Sequence, residues 1–273
     1  MKNTIKKSFL LMSAATLLAG TTSLTQVGAQ SSTASTFNSD ISVNQLTSFQ
    51  AQQNLTDNIN EIDEYMETQG TSVLNELVKG KERLERDFEN ETDETEKGKL
   101  TDLIAGYAAN ITEYENYISQ QNSSRGEFST TGVNDSVLSP AVTSIIAFFN
   151  AKGYLLASEL LTYAKQTSNG GSYSPYYKSQ ANGTAELARL RTTQSTGSGS
   201  GAFAKGSSTK DNDLYYAIHN YNYKWNNGTV SITDRYDYAV NADYEGIAGT
   251  AVNTMWLAQS KGVIVPFLVV MNF

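Results

Sequence analysis

Asp234-Arg235-Tyr236-Asp237 sets two carboxylates three residues apart. At a strand end, such a pair offers a hard divalent cation two oxygen ligands, with water filling the other positions. A metal held this way can polarise a phosphoryl oxygen and ready a water for attack. The chain has one histidine, His219, whose ordinary pKa suits it to move a proton near neutrality. Tyr221 and Tyr236 could donate hydrogen bonds to a phosphoryl oxygen, and Arg235 could bind it. Together these residues point to metal-assisted hydrolysis of a phosphoric ester. The site it predicts has His219, Asp234, Tyr236 and Asp237 in catalytic roles, Tyr221 and Arg235 in binding, and Mg²⁺ on Asp234 and Asp237.

A β-hairpin must position this set. Asn227-Gly228 is a turn dipeptide that tolerates positive φ at both central positions. Tyr215, Ala217, His219, Tyr221, Tyr223 and Trp225 alternate before it, and Val230, Ile232, Asp234 and Tyr236 alternate after it. Counting outward pairs Asn226 with Thr229, Trp225 with Val230, Tyr223 with Ile232, Tyr221 with Asp234 and His219 with Tyr236. Paired residues share a sheet face. That face therefore runs from apolar at the turn to reactive at the far end.

Composition narrows the setting. Lys2, Lys6 and Lys7, the apolar run from Phe9 to Gly20 and the small residues Val27-Gly28-Ala29 read as a secretory leader cleaved after Ala29. The run is too short for a permanent span, so a secreted, extracellular protein is expected. The formal charge is −8, and loss of the three leader lysines takes it to −11. Such a surface repels nucleic acid and anionic membranes. The absence of cysteine excludes disulfides, thiolate metal sites and a cysteine nucleophile.

Residues 30–43 are a Ser/Thr-rich segment that reads as disordered. From 44 to 121 an acidic helical region is expected. Leu55, Ile59, Ile62 and Met66, then Leu100, Leu103, Tyr107, Ile111, Tyr114 and Ile118, recur every three or four residues. Residues 122–136 read as a linker. Beyond it, 137–273 reads as an α+β domain: a helical pair opened by Ser139-Pro140, the hairpin, a helix over 247–261 and a closing strand from Val263. Residues 194–208, rich in Gly and Ser, read as a flexible loop, and Asp243 as the cap of the final helix. The fold class is thus α+β, with a helical hairpin or bundle in front.

The D-x-Y-D residues Asp234, Tyr236 and Asp237 resemble the motif of the colicin M family, bacteriocins that cleave the polyprenyl-phosphate linkage of lipid II. That resemblance implies a C-terminal α/β catalytic domain with a metal requirement. The family also uses a His or another polar residue shortly after the motif, often with an Arg. Ala239 to Gly246 has neither His nor Arg. Asp243 stands there instead, and His219 lies upstream. The wider pattern, from DLYYAIH through DRYDYA to GIAGTAVNTM and VIVPF, is similar to C-terminal modules of uncharacterised secreted Gram-positive proteins. The expectation is a secreted antibacterial effector that hydrolyses a phosphate ester or diphosphate of an envelope lipid intermediate, with an immunity protein as a further partner. The alternative is a non-enzymatic module that binds a surface glycan or protein through a tyrosine-rich face, since the chain holds 16 tyrosines.

Overall fold

The computed structural model describes residues 48–123, 135–192, 197–226, 228–238 and 246–273. These lie within one compact unit, Val43–Phe273. The leader, the 30–43 segment, Asp243 and most of the 122–136 stretch lie outside the described residues. The fold is α+β, as expected, with helices first and a five-stranded mixed sheet after them.

Helices α1 (Ser48–Thr68), α2 (Val73–Asn90) and α3 (Glu94–Ser123) carry the periodic stripe. Its members Ile59, Ile62, Met66, Leu77, Leu84, Leu100, Leu103, Tyr107 and Tyr114 are buried. Each turn has a local cause. Ser72 caps α2 by accepting the Asn75 N–H at 3.3 Å, and Asp93 caps α3 by accepting the N–H groups of Thr95 and Glu96. Helix α4 (Asp135–Ala151) follows, apolar nearly all round, and α1, α2 and α3 all pack on it. Such a helix is buried because it has no polar face to give to water. Gly153, at φ +71°, ends it and turns the chain into α5 (Leu155–Gln166). Among the described residues no helix is long and apolar enough to cross a membrane.

Helix α5 is the central buried element, and two buried carboxylates fix it. Asp213 accepts the N–H groups of Leu156 (3.0 Å) and Ala157 (2.8 Å) at its N-terminus. Glu159 reaches out of α5 to a 3₁₀ helix (Tyr176–Ala181), accepting from Tyr176 N–H, Tyr177 N–H and the Tyr173 hydroxyl. Burial pushes each carboxyl up to about 7.

The sheet contains β1 (Ser172–Tyr173), β2 (Gly197–Ala202), β3 (Asn220–Asn226), β4 (Thr229–Tyr236) and β5 (Phe267–Asn272), in the order β1-β5-β4-β3-β2. Helices α6 (Ala185–Thr192), α7 (Thr209–Ile218) and α8 (Gly246–Ser260) complete the fold. Two expectations are corrected. The Gly/Ser stretch is not a loop throughout: residues 197–202 form an edge strand paired with β3. Its glycines let tyrosine rings cross it. A Cβ on Gly199 would come within 2.8 Å of the Tyr223 hydroxyl, and one on Gly201 within 2.5 Å of that of Tyr221. Residues 215–218 are not strand but the end of α7. Ser208 caps this helix, and Leu214, Ala217 and Ile218 are buried at helical spacing.

Candidate functional site

The hairpin register follows the count outward from the turn as far as Asn222, but the expected pairs Tyr221–Asp234 and His219–Tyr236 do not form. Asn226 pairs with Thr229, Trp225 with Val230 and Tyr223 with Ile232. Gly228 has φ +86°, the backbone region such a turn requires, while Asn227 lies outside the described residues. The β3–β4 ladder stops at Asn222 and Thr233. On either side pairing continues, to Ala202 with Asn220 and to Tyr236 with Phe267. Strands β3 and β4 therefore part beyond Asn222, and Asp234 stands at the fork.

A cavity of about 270 Å³ lies at this fork, closed by Tyr215 and Tyr216 of α7 and by Val252 and Met255 of α8. His219, Asp234, Arg235, Tyr236 and Asp237 all line it. Five of the six expected site residues thus meet, although His219 arrives at the end of a helix and not on a strand. Tyr221 is the exception. Its hydroxyl bonds Glu186, its ring packs on Phe203, and it borders a different groove.

The local bonds define what each group can do. His219 Nδ1 lies 3.1 Å from the Phe203 carbonyl, and the Phe203 N–H donates back to the His219 carbonyl at 2.8 Å. A carbonyl oxygen only accepts, so Nδ1 carries a proton and Nε2 is the nitrogen left to exchange one with a ligand. The Tyr215 ring meets the imidazole edge-on, with centroids 4.7 Å apart. Burial pushes the Asp234 carboxyl up to about 7, the charge of Asp237 adds to this, and the Arg235 N–H opposes it. Burial also raises Asp237, against the nearby Arg235 guanidinium, which lies 3.6 Å away. The Tyr236 hydroxyl, buried against Phe267, bonds to the Tyr238 hydroxyl.

Gln259 of α8 is a member the sequence did not reveal. Its Oε1 accepts the Tyr238 N–H at 2.8 Å and its Nε2 donates to the Tyr238 carbonyl at 3.3 Å. A side-chain amide thus stands in for a neighbouring strand and holds the backbone beside Asp237. No local pattern marks it, because it lies 21 residues away in the chain.

Among the described residues, no group of three or more His, Asp or Glu side chains comes together to hold a metal ion. Asp234 and Asp237 both line the cavity, and a cation there would relieve the effect of the Asp237 charge on Asp234. Magnesium, which keeps several waters and needs only one or two carboxylates, fits such a pair. Comparison with protein-family models, with curated proteins and with solved structures finds no match.

Proposed function

We propose that the cavity hydrolyses a phosphate ester or diphosphate of an envelope lipid intermediate, and that the protein is a secreted antibacterial effector. The observation that carries this is the meeting, in one cavity, of the chain's single histidine with two carboxylates pushed upward. His219 Nε2 takes the proton of a water whose oxygen attacks phosphorus. The P–O bond to the leaving group breaks, and that oxygen takes a proton from solvent. The Tyr236 hydroxyl would donate to a phosphoryl oxygen, and the Arg235 guanidinium, 3.6 Å from Asp237, would supply positive charge at the rim. Asp234 and Asp237 would hold a magnesium ion, which when bound neutralises charge on the phosphoryl group. The aromatic and apolar side chains of Tyr215, Tyr216, Val252 and Met255 on one side of the cavity lower the local polarity and strengthen charge interactions there.

The binding-module alternative has less to draw on. Tyr107, Tyr114, Tyr177, Tyr221 and Tyr236 are buried, so fewer tyrosines remain for a contact face.

The test uses bis(p-nitrophenyl) phosphate with magnesium, together with growth inhibition of Gram-positive indicator strains. His219→Gln, Asp234→Asn and Asp237→Asn should keep the wild-type circular dichroism and lose turnover by about 10²-fold or more. Wild-type protein with no turnover above buffer, or variants as active as wild type, would end the proposal.

A further inference from the structure

The parting of β3 and β4 opens a second groove beyond Asp234. It measures about 510 Å³ and is lined by Ser200, Gly201, Asn220, Tyr221, Asn222 and Asp234. Asp234 and Asn220 belong to both spaces. Whatever occupies the groove is therefore adjacent, across one carboxylate, to whatever sits beside His219.

We infer that this groove is a subsite for a neutral polyhydroxy group, a sugar or polyol, carried on the phosphate that the first cavity takes. The inference rests on the phosphate-hydrolase reading of that cavity. The lining argues the chemistry. Asn220 and Asn222 each present one acceptor and two donors, and Ser200 presents one of each kind. A row of hydroxyls, each donating and accepting, matches that set. Among the described residues the groove is lined by no lysine or arginine to neutralise a second anion. Its remaining wall is glycine, alanine and one tyrosine, too little apolar surface for an acyl or prenyl chain. The hairpin pattern explains the position of the amides: Asn220 and Asn222 occupy the face opposite Tyr221, Tyr223 and Trp225. Ser200 pairs directly with Asn222 across β2 and β3.

The test follows the full chain by NMR titration with three probes: inorganic phosphate, methyl α-glucoside and glucose 1-phosphate. Glucose 1-phosphate should bind at least about tenfold more tightly than phosphate, the scale of two or three added hydrogen bonds. The glucoside should shift the side-chain amides of Asn220 and Asn222. In the double variant Ser200→Ala/Asn222→Ala, both exposed positions, the tenfold gain should vanish while phosphate affinity stays. Glucose 1-phosphate no tighter than phosphate would overturn the subsite and leave the hydrolase reading standing. Glucoside binding without phosphate binding would overturn the hydrolase reading and leave a sugar site. Binding of none of the three would overturn both.

Discussion

Two pairs of carboxyls in this protein are pushed the same way for different reasons. Asp213 and Glu159 flank α5, and Asp234 and Asp237 flank the forked hairpin. Asp213 and Glu159 are fully buried and saturated. Asp213 receives two backbone N–H groups at the α5 terminus, and Glu159 receives two plus a tyrosine hydroxyl. Asp234 has a like charge beside it and borders an open cavity. A raised carboxyl is therefore not by itself a site. The saturated pair fastens helices, whereas the under-saturated pair has lone pairs left for a ligand.

Removing the saturated pair should have the largest effect on stability. Asp213→Ala leaves the Leu156 and Ala157 N–H groups buried without partners, and Glu159→Ala strands Tyr176 and Tyr177 likewise. Each should cost about 2–4 kcal/mol in urea melts at pH 6. A loss under 1 kcal/mol for both would remove the structural half of the comparison.

The pH dependence of stability comes next. Both carboxyls hold their proton more tightly in the folded chain, since burial lifts them from 3.8 and 4.5 to about 7. Their contribution is fully present below those lower values and is lost as pH rises through about 7. Stability should therefore rise on going from pH 8.5 to pH 5.5, by about 2 kcal/mol per carboxyl. That corresponds to a Tm increase on the order of 5–15 °C. Glu159→Gln should flatten about a third of the slope, because Asp234 is lifted to about 7 as well. A Tm that falls over this range would contradict the assignment.

Gln259→Ala should cost about 1 kcal/mol, the scale of a pair of partly exposed hydrogen bonds, and hydrogen exchange at the Tyr238 amide should quicken. If exchange there is unchanged, Gln259 does not hold the Asp237 segment.

Asp234→Asn should be the mildest of the series. It removes a like-charge repulsion and keeps a side-chain oxygen as an acceptor, so stability should stay within about 0.5 kcal/mol of wild type or rise. A loss as large as that of Asp213→Ala would place Asp234 with the fastening pair and remove the ligand role.

Much of the helical layer was legible along the chain. Ile59, Ile62 and Met66, and Leu100, Leu103 and Tyr107, bury where their spacing says they should, because helical periodicity is local. The hairpin register was legible for the same reason as far as Asn222 and Thr233: a two-residue turn leaves one way to count outward, but nothing local showed that the strands part before Tyr221 and Asp234. The α7 segment misled because Tyr215, Ala217 and His219 alternate as a strand does. Leu214, Ala217 and Ile218 also fit a helix, and burial against α5 decided between the two. Gly197 to Ala202 misled because its glycines serve the tyrosines of the next strand and not their own conformation.

Residue types and short spacings, then, determined by themselves the α+β class, the helical stripe, the turn and the grouping of Asp234, Tyr236 and Asp237. Only tertiary structure decided that β3 and β4 part at Asn222, that Tyr221 turns to Glu186 and that Gln259 grips Tyr238. It alone also decided that Asp213 and Glu159 fasten α5. The physical reason is range. Periodicity and turn geometry act over a few bonds, whereas burial, charge repulsion and side-chain bonds to a distant backbone depend on groups that only the fold brings together.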